Sequence, residues 1–182
     1  RRSGDADPNA EAPPEGHWIM IQPWEFGALP LDWIEPMKSE VDEIWAYTDH
    51  VRNVYINSGI PDAKIHVIPL GINYDQFHPD TPKITLPTDK TFKFLFVGGT
   101  IMRKGIDVLL NAYTEAFTSE DDVCLVIKDM GGQSFYRGQT AAQIIDDIKK
   151  NPTSPEILYI PEVLNNEDFA GLYTTCGWLV RP

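Results

Sequence analysis

The sequence predicts an α/β protein made of two Rossmann-like, doubly wound domains, on three observations. From Phe92 onward, strand-length apolar runs alternate with helix-length stretches, the order that builds parallel sheets through right-handed crossovers. Ile106, Leu109, Leu110, Tyr113 and Phe117 recur at helical spacing, while Asp107, Asn111 and Glu115 take other faces. Residues 80–90 are proline- and threonine-rich without helical period, which reads as a linker between the tail of one domain and the start of the next.

Each element follows in order. Residues 1–16 carry Pro, Ala, Asp, Glu and Gly without periodicity and read as a flexible loop. His17–Gln22 is a short apolar strand bounded by Gly16 and Pro23. Pro30–Met37 reads as a short helix or turn limited by Pro36, and Glu43–Thr48 as a second strand. Asp49 is the expected N-cap of a helix through Ser58, with Gly59 as its stop. Lys64–Pro69 is a third strand, followed by a turn at Leu70–Asn73. Residues 17–79 therefore make one domain portion and 91–182 another. The latter runs as strand Phe92–Val97, helix Lys104–Phe117, strand Val123–Ile127, helix Ala141–Lys150, strand Glu156–Ile160, helix Glu167–Thr175 and strand Trp178–Val180.

Composition narrows the function classes. The 182 residues carry a formal net charge of -12, a surface that repels phosphate backbones and argues against nucleic acid as a partner. Cys124 and Cys176 lie far apart without metal-ligand spacing. They read as small buried apolar residues of a reducing, cytoplasmic compartment, and no Cys/His cluster calls for a metal. No apolar run reaches bilayer length. The start at Arg1, without Met, suggests an incomplete segment, so peripheral membrane contact through parts outside it stays open.

Chemistry concentrates where the strand ending at Val97 meets the following helix. Gly98 and Gly99 would let a ligand approach the backbone, with no Cβ in the way. Arg103 and Lys104 add charge beside a helix N-terminus, a field that suits a diphosphate. A tight turn whose glycines serve packing fits the same residues, and the pattern is neither a Walker loop nor GxGxxG. The residues alone leave both readings open. Behind the strand starting at Val123, Gly131 and Gly132 stand side by side. After the strand His17–Gln22, Glu25 and Trp24 face a cleft or pack as a Pro-Trp turn.

Val97-Gly98-Gly99-Thr100-Ile101-Met102-Arg103-Lys104-Gly105 resembles the first strand-turn-helix of the C-terminal domain in the retaining GT-B glycosyltransferases of family 4, the group 1 transferases. Gly98 and the Lys104-Gly105 pair match, whereas Gly99 stands where that family usually has an arginine for the donor diphosphate. Lys64–Asn73, then Phe77 and Pro79, is similar to the segment that ends the family's acceptor-side domain. Thr48 matches a helix-opening serine facing the cleft, and Gly71 matches a turn glycine. Ile160–Leu164, with Glu167, Asp168 and Phe169 beyond, looks like the loop that cups the donor base, so Val163 and Leu164 take the base region. The Lys128–Gly132 stretch occupies the family's second glycine turn.

The resemblance implies two GT-B domains, both incomplete, with the donor side in 91–182. It implies transfer of a sugar from a nucleotide-diphosphate donor to a carbohydrate, lipid or protein acceptor hydroxyl, with retention and without metal or cofactor. None of the family's catalytic residues is expected here. Its signature pair of glutamates is expected beyond Pro182, so this stretch alone is expected to be inactive. A non-catalytic module holding a nucleotide or phosphosugar is the alternative, favoured by Gly99. A structural α/β unit inside a larger assembly is the third reading.

Overall fold

A computed structural model of the chain describes residues 15–131 and 138–181. By contact the chain divides into two units, Arg1–Ile72 and Asn73–Pro182. Among the described residues each holds one all-parallel sheet, so the α/β, Rossmann-like class predicted above is what the chain adopts.

The first unit runs β1 (Ile19–Ile21), α1 (Leu31–Ser39), β2 (Glu43–Ala46), α2 (Asp49–Asn57) and β3 (Ile65–Val67), with strand order β1-β2-β3. Ile44, Ala46 and Ile65 turn to a core shared with Met37, Val51, Val54 and Tyr55. Alternation puts Ile19, Ile21, Trp45 and His66 on the opposite face, where both isoleucines and the histidine are exposed. There Glu43 accepts from His17 Nε2 and Trp45 Nε1, each at 3.0 Å. Tyr55 is fully buried, but its hydroxyl donates to the Gln22 carbonyl at 2.7 Å. Burial pushes its phenol up to about 12.

Three local expectations are corrected here. The cap of α2 is Thr48, whose Oγ1 accepts from Val51 N at 3.2 Å, and Asp49 is the first helical residue. Thr48 has the extended backbone a cap requires, and such a bond contributes about 1 kcal/mol. Pro36 does not end α1, which continues to Ser39. The turn after it closes through Glu40 N donating to the Pro36 carbonyl and Ser39 Oγ donating to the Glu35 carbonyl. Residues 70–72 form no turn, and the chain turns from Asn73 onward, whose carbonyl accepts from Gln76 N and Phe77 N.

The second unit runs β4 (Phe92–Gly98), α3 (Ile106–Ala116), β5 (Val123–Asp129), α4 (Ala142–Lys149), β6 (Glu156–Ile160), α5 (Asn166–Thr175) and β7 (Trp178–Leu179). Its strand order is β6-β5-β4-β7. Alternate residues of each strand feed two cores. Phe96, Leu125, Ile127 and Ile157 meet α3 and α4 residues Leu110, Tyr113 and Ile145. Leu95, Cys124, Val126 and Leu158 meet Leu172 and Phe169 of α5. Helices on both faces define the doubly wound arrangement. The thiols of Cys124 and Cys176 are both free, and burial pushes each up to about 11.

Helix α3 begins at Ile106 rather than Lys104. A 3-10 turn, Met102–Lys104, precedes it, and Gly105 at φ +68 breaks the two apart. A side chain at that φ would be strained.

The contact boundary at Ile72 counts residues 80–90 with the second unit. Ile84 N donates to Thr175 Oγ1 at 2.9 Å, and Ile84 and Leu86 pack into the α5-side core. Phe77 stands edge-on to Phe169 and Tyr173 at 6.0 and 5.9 Å. A Cβ at Gly171 would lie 2.6 Å from Ile84 Cγ2 and 2.8 Å from the Pro82 carbonyl oxygen. Because a backbone atom is in the way, Gly171→Ala is expected to cost about 1–3 kcal/mol by overpacking. A denaturant titration checks this, and an unchanged midpoint would mean that the 82–84 strap yields freely.

Candidate functional site

In a parallel sheet the carboxyl ends of the strands share one edge, and ligands bind where the strand order reverses. Here β5 and β6 extend from one side of β4, while β7 returns to the other. The reversal therefore lies between β4 and β7. Beyond their carboxyl ends is a cavity of about 280 Å³ lined by Phe96, Val97, Gly98, Arg103, Lys104 and Arg181. Arg103 and Lys104 sit on the 3-10 turn, and Arg181 follows β7. All three are exposed and, among the described residues, none is in an ion pair. Three cations without carboxylate partners, in a protein of net charge -12, make a local positive field.

Neither Gly98 nor Gly99 has a positive φ. A Cβ at Gly98 would come no nearer than 3.4 Å to Phe96, and one at Gly99 would meet Gly131 Cα at 3.7 Å. Backbone conformation thus requires glycine at neither position. Gly131 is tighter, since its Cβ would lie 3.2 Å from both Gly99 Cα and Asp129 Oδ1. The two glycine turns are packed against each other. Gly132 lies outside the described residues.

What holds these turns together is Asp129, at the end of β5 and 2% exposed. Its Oδ1 accepts from Thr100 N at 3.1 Å and Gly131 N at 2.7 Å, and its Oδ2 accepts from Tyr159 OH at 2.6 Å. Burial by itself would raise this carboxyl, but the hydrogen bonds from Tyr159, Gly131 and Thr100 outweigh it and hold it below the usual carboxylate range. Tyr159 is correspondingly pushed up to about 12, by burial and then by Asp129. Thr100 is fully buried and its carbonyl accepts from Ala141 N at 2.7 Å, tying the turn to the start of α4.

A second cavity, of about 320 Å³, lies beyond β5 and β6. Lys128, Asp129, Met130, Pro161, Val163, Leu164, Asn166 and Phe169 line it. Val163 is exposed, while Leu164 packs into the α5-side core. Lys128 is 3% exposed, and its Nζ donates to the Asp129 carbonyl at 2.7 Å. Desolvation holds its ammonium below the usual lysine range, against the pull of Asp129 and Glu162.

The structure thus gathers Gly98, Arg103 and Lys104 around one cavity and Val163 and Leu164 around another, with Gly99 and Gly131 in the packed turns beside them. The remaining predicted residues, Glu25, Thr48 and Gly71, belong to the first unit. Glu25 follows β1 and is exposed. Thr48 follows β2 with its hydroxyl engaged as the α2 cap. Gly71 is exposed and its φ is not positive. Trp24 packs against Phe26 and Trp33 at 5.2 and 5.1 Å, and its Nε1 donates to the Ala28 carbonyl. That is the packed-turn alternative for Trp24.

Sequence reasoning missed Arg181, Asp129 and Tyr159. A cation directly after the Trp178–Val180 strand was the available signal for Arg181. Nothing in the sequence links Asp129 to Tyr159, thirty positions apart. Among the described residues no group of His, Cys, Asp or Glu is arranged to hold a metal ion, and no helix is long and apolar enough to cross a membrane.

With this geometry, the chain is similar to solved structures of HepE from Anabaena. One, in complex with UDP and glucose, matches with a TM-score of 0.53 and 16% identity, over 83% of this chain and 40% of that one. Another, in complex with UDP-glucose, matches with a TM-score of 0.51 and 14% identity, over 83% and 41%. The likeness is one of fold. The chain spans about two-fifths of the length of those proteins. No protein-family model and no curated protein matches it.

Proposed function

We propose that this chain carries the donor-binding side of a glycosyltransferase of the retaining, family 4 type, which transfers a sugar from a nucleotide-diphosphate donor to an acceptor hydroxyl. The observation that carries the reading is the convergence of Arg103, Lys104 and Arg181 with Gly98 at the reversal of strand order. The fold likeness to a protein solved with UDP and UDP-glucose supports it.

In this reading the second unit holds the donor. The diphosphate lies against Gly98 and Gly99 with Arg103, Lys104 and Arg181 meeting its charge, and the base lies by Val163 and Leu164. Bond cleavage at the sugar builds negative charge on the departing diphosphate. Cations gathered at that place stabilise the developing charge, as electrostatic sites do. Arg181 supplies a cation near the turn in which Gly99 stands instead of an arginine. The cations meet the leaving-group charge themselves, so no metal or cofactor is invoked. The first unit, with Glu25, Thr48 and Gly71, would serve a carbohydrate, lipid or protein acceptor. We assign the protein to the cytoplasm, where its free thiols stay reduced.

The test is titration of the intact protein with UDP, GDP and ADP sugars, with nucleotide release followed in the presence of candidate acceptors. Binding with acceptor-dependent release is the expected result. Saturable binding without release would leave the non-catalytic module, and no binding would leave a scaffold.

A further inference from the structure

Lys128 occupies a position that a merely structural lysine does not need. It is the next-to-last residue of β5, on the α5 face, in register with Ile160 of β6 and in line with the buried Val126 and Cys124. Its neighbours around the 320 Å³ cavity include Met130, Val163, Leu164 and Phe169. An ammonium has three N–H donors and no acceptor. Among the described residues the Asp129 carbonyl is its one hydrogen-bond partner. Burying a charge with most of its donors unused is costly unless a ligand completes the set. The nearby carboxylates do not complete it. Asp129 spends both oxygens on Thr100, Gly131 and Tyr159, and Glu162 is exposed and not in an ion pair with Lys128.

The missing acceptor is better matched to a base than to a phosphate. Apolar walls suit a flat ring and penalise a multiply charged group. The proposed function already gives the phosphates a place at Arg103, Lys104 and Arg181, which line the other cavity. Strands lie about 4.8 Å apart, so the β4–β7 and β5–β6 gaps are separated by two spacings, about 10 Å. A ribose and its phosphate arm would bridge that separation.

We infer that the cavity selects a nucleobase that presents a keto oxygen to Lys128, uracil or guanine, over one that presents an amino group there, cytosine or adenine. This rests on the nucleotide-diphosphate reading above. An amino group would set donor against donor at a buried ammonium, and sites built to hydrogen-bond one partner reject the analogue that cannot pair.

Calorimetric titration of the intact protein with UDP, CDP, GDP, ADP and inorganic pyrophosphate tests it, in wild type and in Lys128→Met. UDP is expected to bind about 10–100-fold tighter than CDP, or GDP than ADP by the same factor. The two pairs distinguish a pyrimidine from a purine pocket. In Lys128→Met that ratio is expected to fall to within about 3-fold, below 1 kcal/mol, while pyrophosphate binds unchanged. Equal affinity within both pairs in wild type overturns the inference, whether or not the variant folds. So does a preference that survives in Lys128→Met. If neither the nucleotides nor pyrophosphate bind, the nucleotide reading itself falls with it. Nucleotide binding without keto preference leaves that reading standing alone.

Discussion

Asp129→Ala is expected to lower the stability of the second unit by about 3–5 kcal/mol, because it strands buried donors at about 1–3 kcal/mol each. Thr100 N, Gly131 N and Tyr159 OH all lose their acceptor together, and the cavity left behind admits at best a poorly placed water. Tyr159→Phe removes one bond and leaves the carboxylate with two, so its cost is expected near 1 kcal/mol. Urea titrations of both variants measure the difference. A loss below about 1 kcal/mol for Asp129→Ala would show that the two turns hold each other by packing alone. The same carboxylate sets a pH dependence. Its pKa is depressed below the ordinary 3.8 on folding. The stability it contributes is therefore present in full above that value and is lost as pH falls through the lower, folded value. Asp129→Asn is expected to flatten that acid limb, which acid titration of both proteins would reveal.

Lys104→Ala is expected to cut turnover of the intact protein about 100-fold, or about 3 kcal/mol of transition-state stabilisation. Its side chain lines the cavity with Gly98, Arg103 and Arg181, where the proposed reading puts the departing diphosphate. The loss is expected mainly in kcat, since charge is greater in the transition state than in the bound donor. Steady-state kinetics on the donor and acceptor found by titration measure it. Wild-type rates in Lys104→Ala would remove the residue from the site.

Most of the secondary structure was legible because its causes are local. The α3 stripe Ile106, Leu109, Leu110 and Tyr113 is buried as its spacing implied. Phe92, Val123, Glu156 and Trp178 each open a strand where the apolar runs begin. Boundaries were lost where a backbone choice overrode composition. Gly105 adopts φ +68 and delays α3, and Pro36 lies inside α1, whose Met37 is buried in the core. The cap of α2 fell one residue early, on Thr48, since Thr and Asp compete for the same role and only the backbone dihedral decides. Of the candidate site, Gly98, Arg103 and Lys104 stood in one contiguous motif. Arg181 joined them only through the pairing of β7 with β4.

By itself, then, the order of apolar and polar residues determined a doubly wound α/β chain with a cationic glycine turn after β4. Periodicity and turn chemistry act over a few residues and can be read directly. Only the tertiary structure decided that Asp129 joins two glycine turns to Tyr159, that Ile84 straps onto α5, and that a buried Lys128 faces an apolar cavity. The reason is that strand order, which brings distant residues to one edge of a sheet, is selected by the summed packing of whole faces. No local pattern encodes that sum.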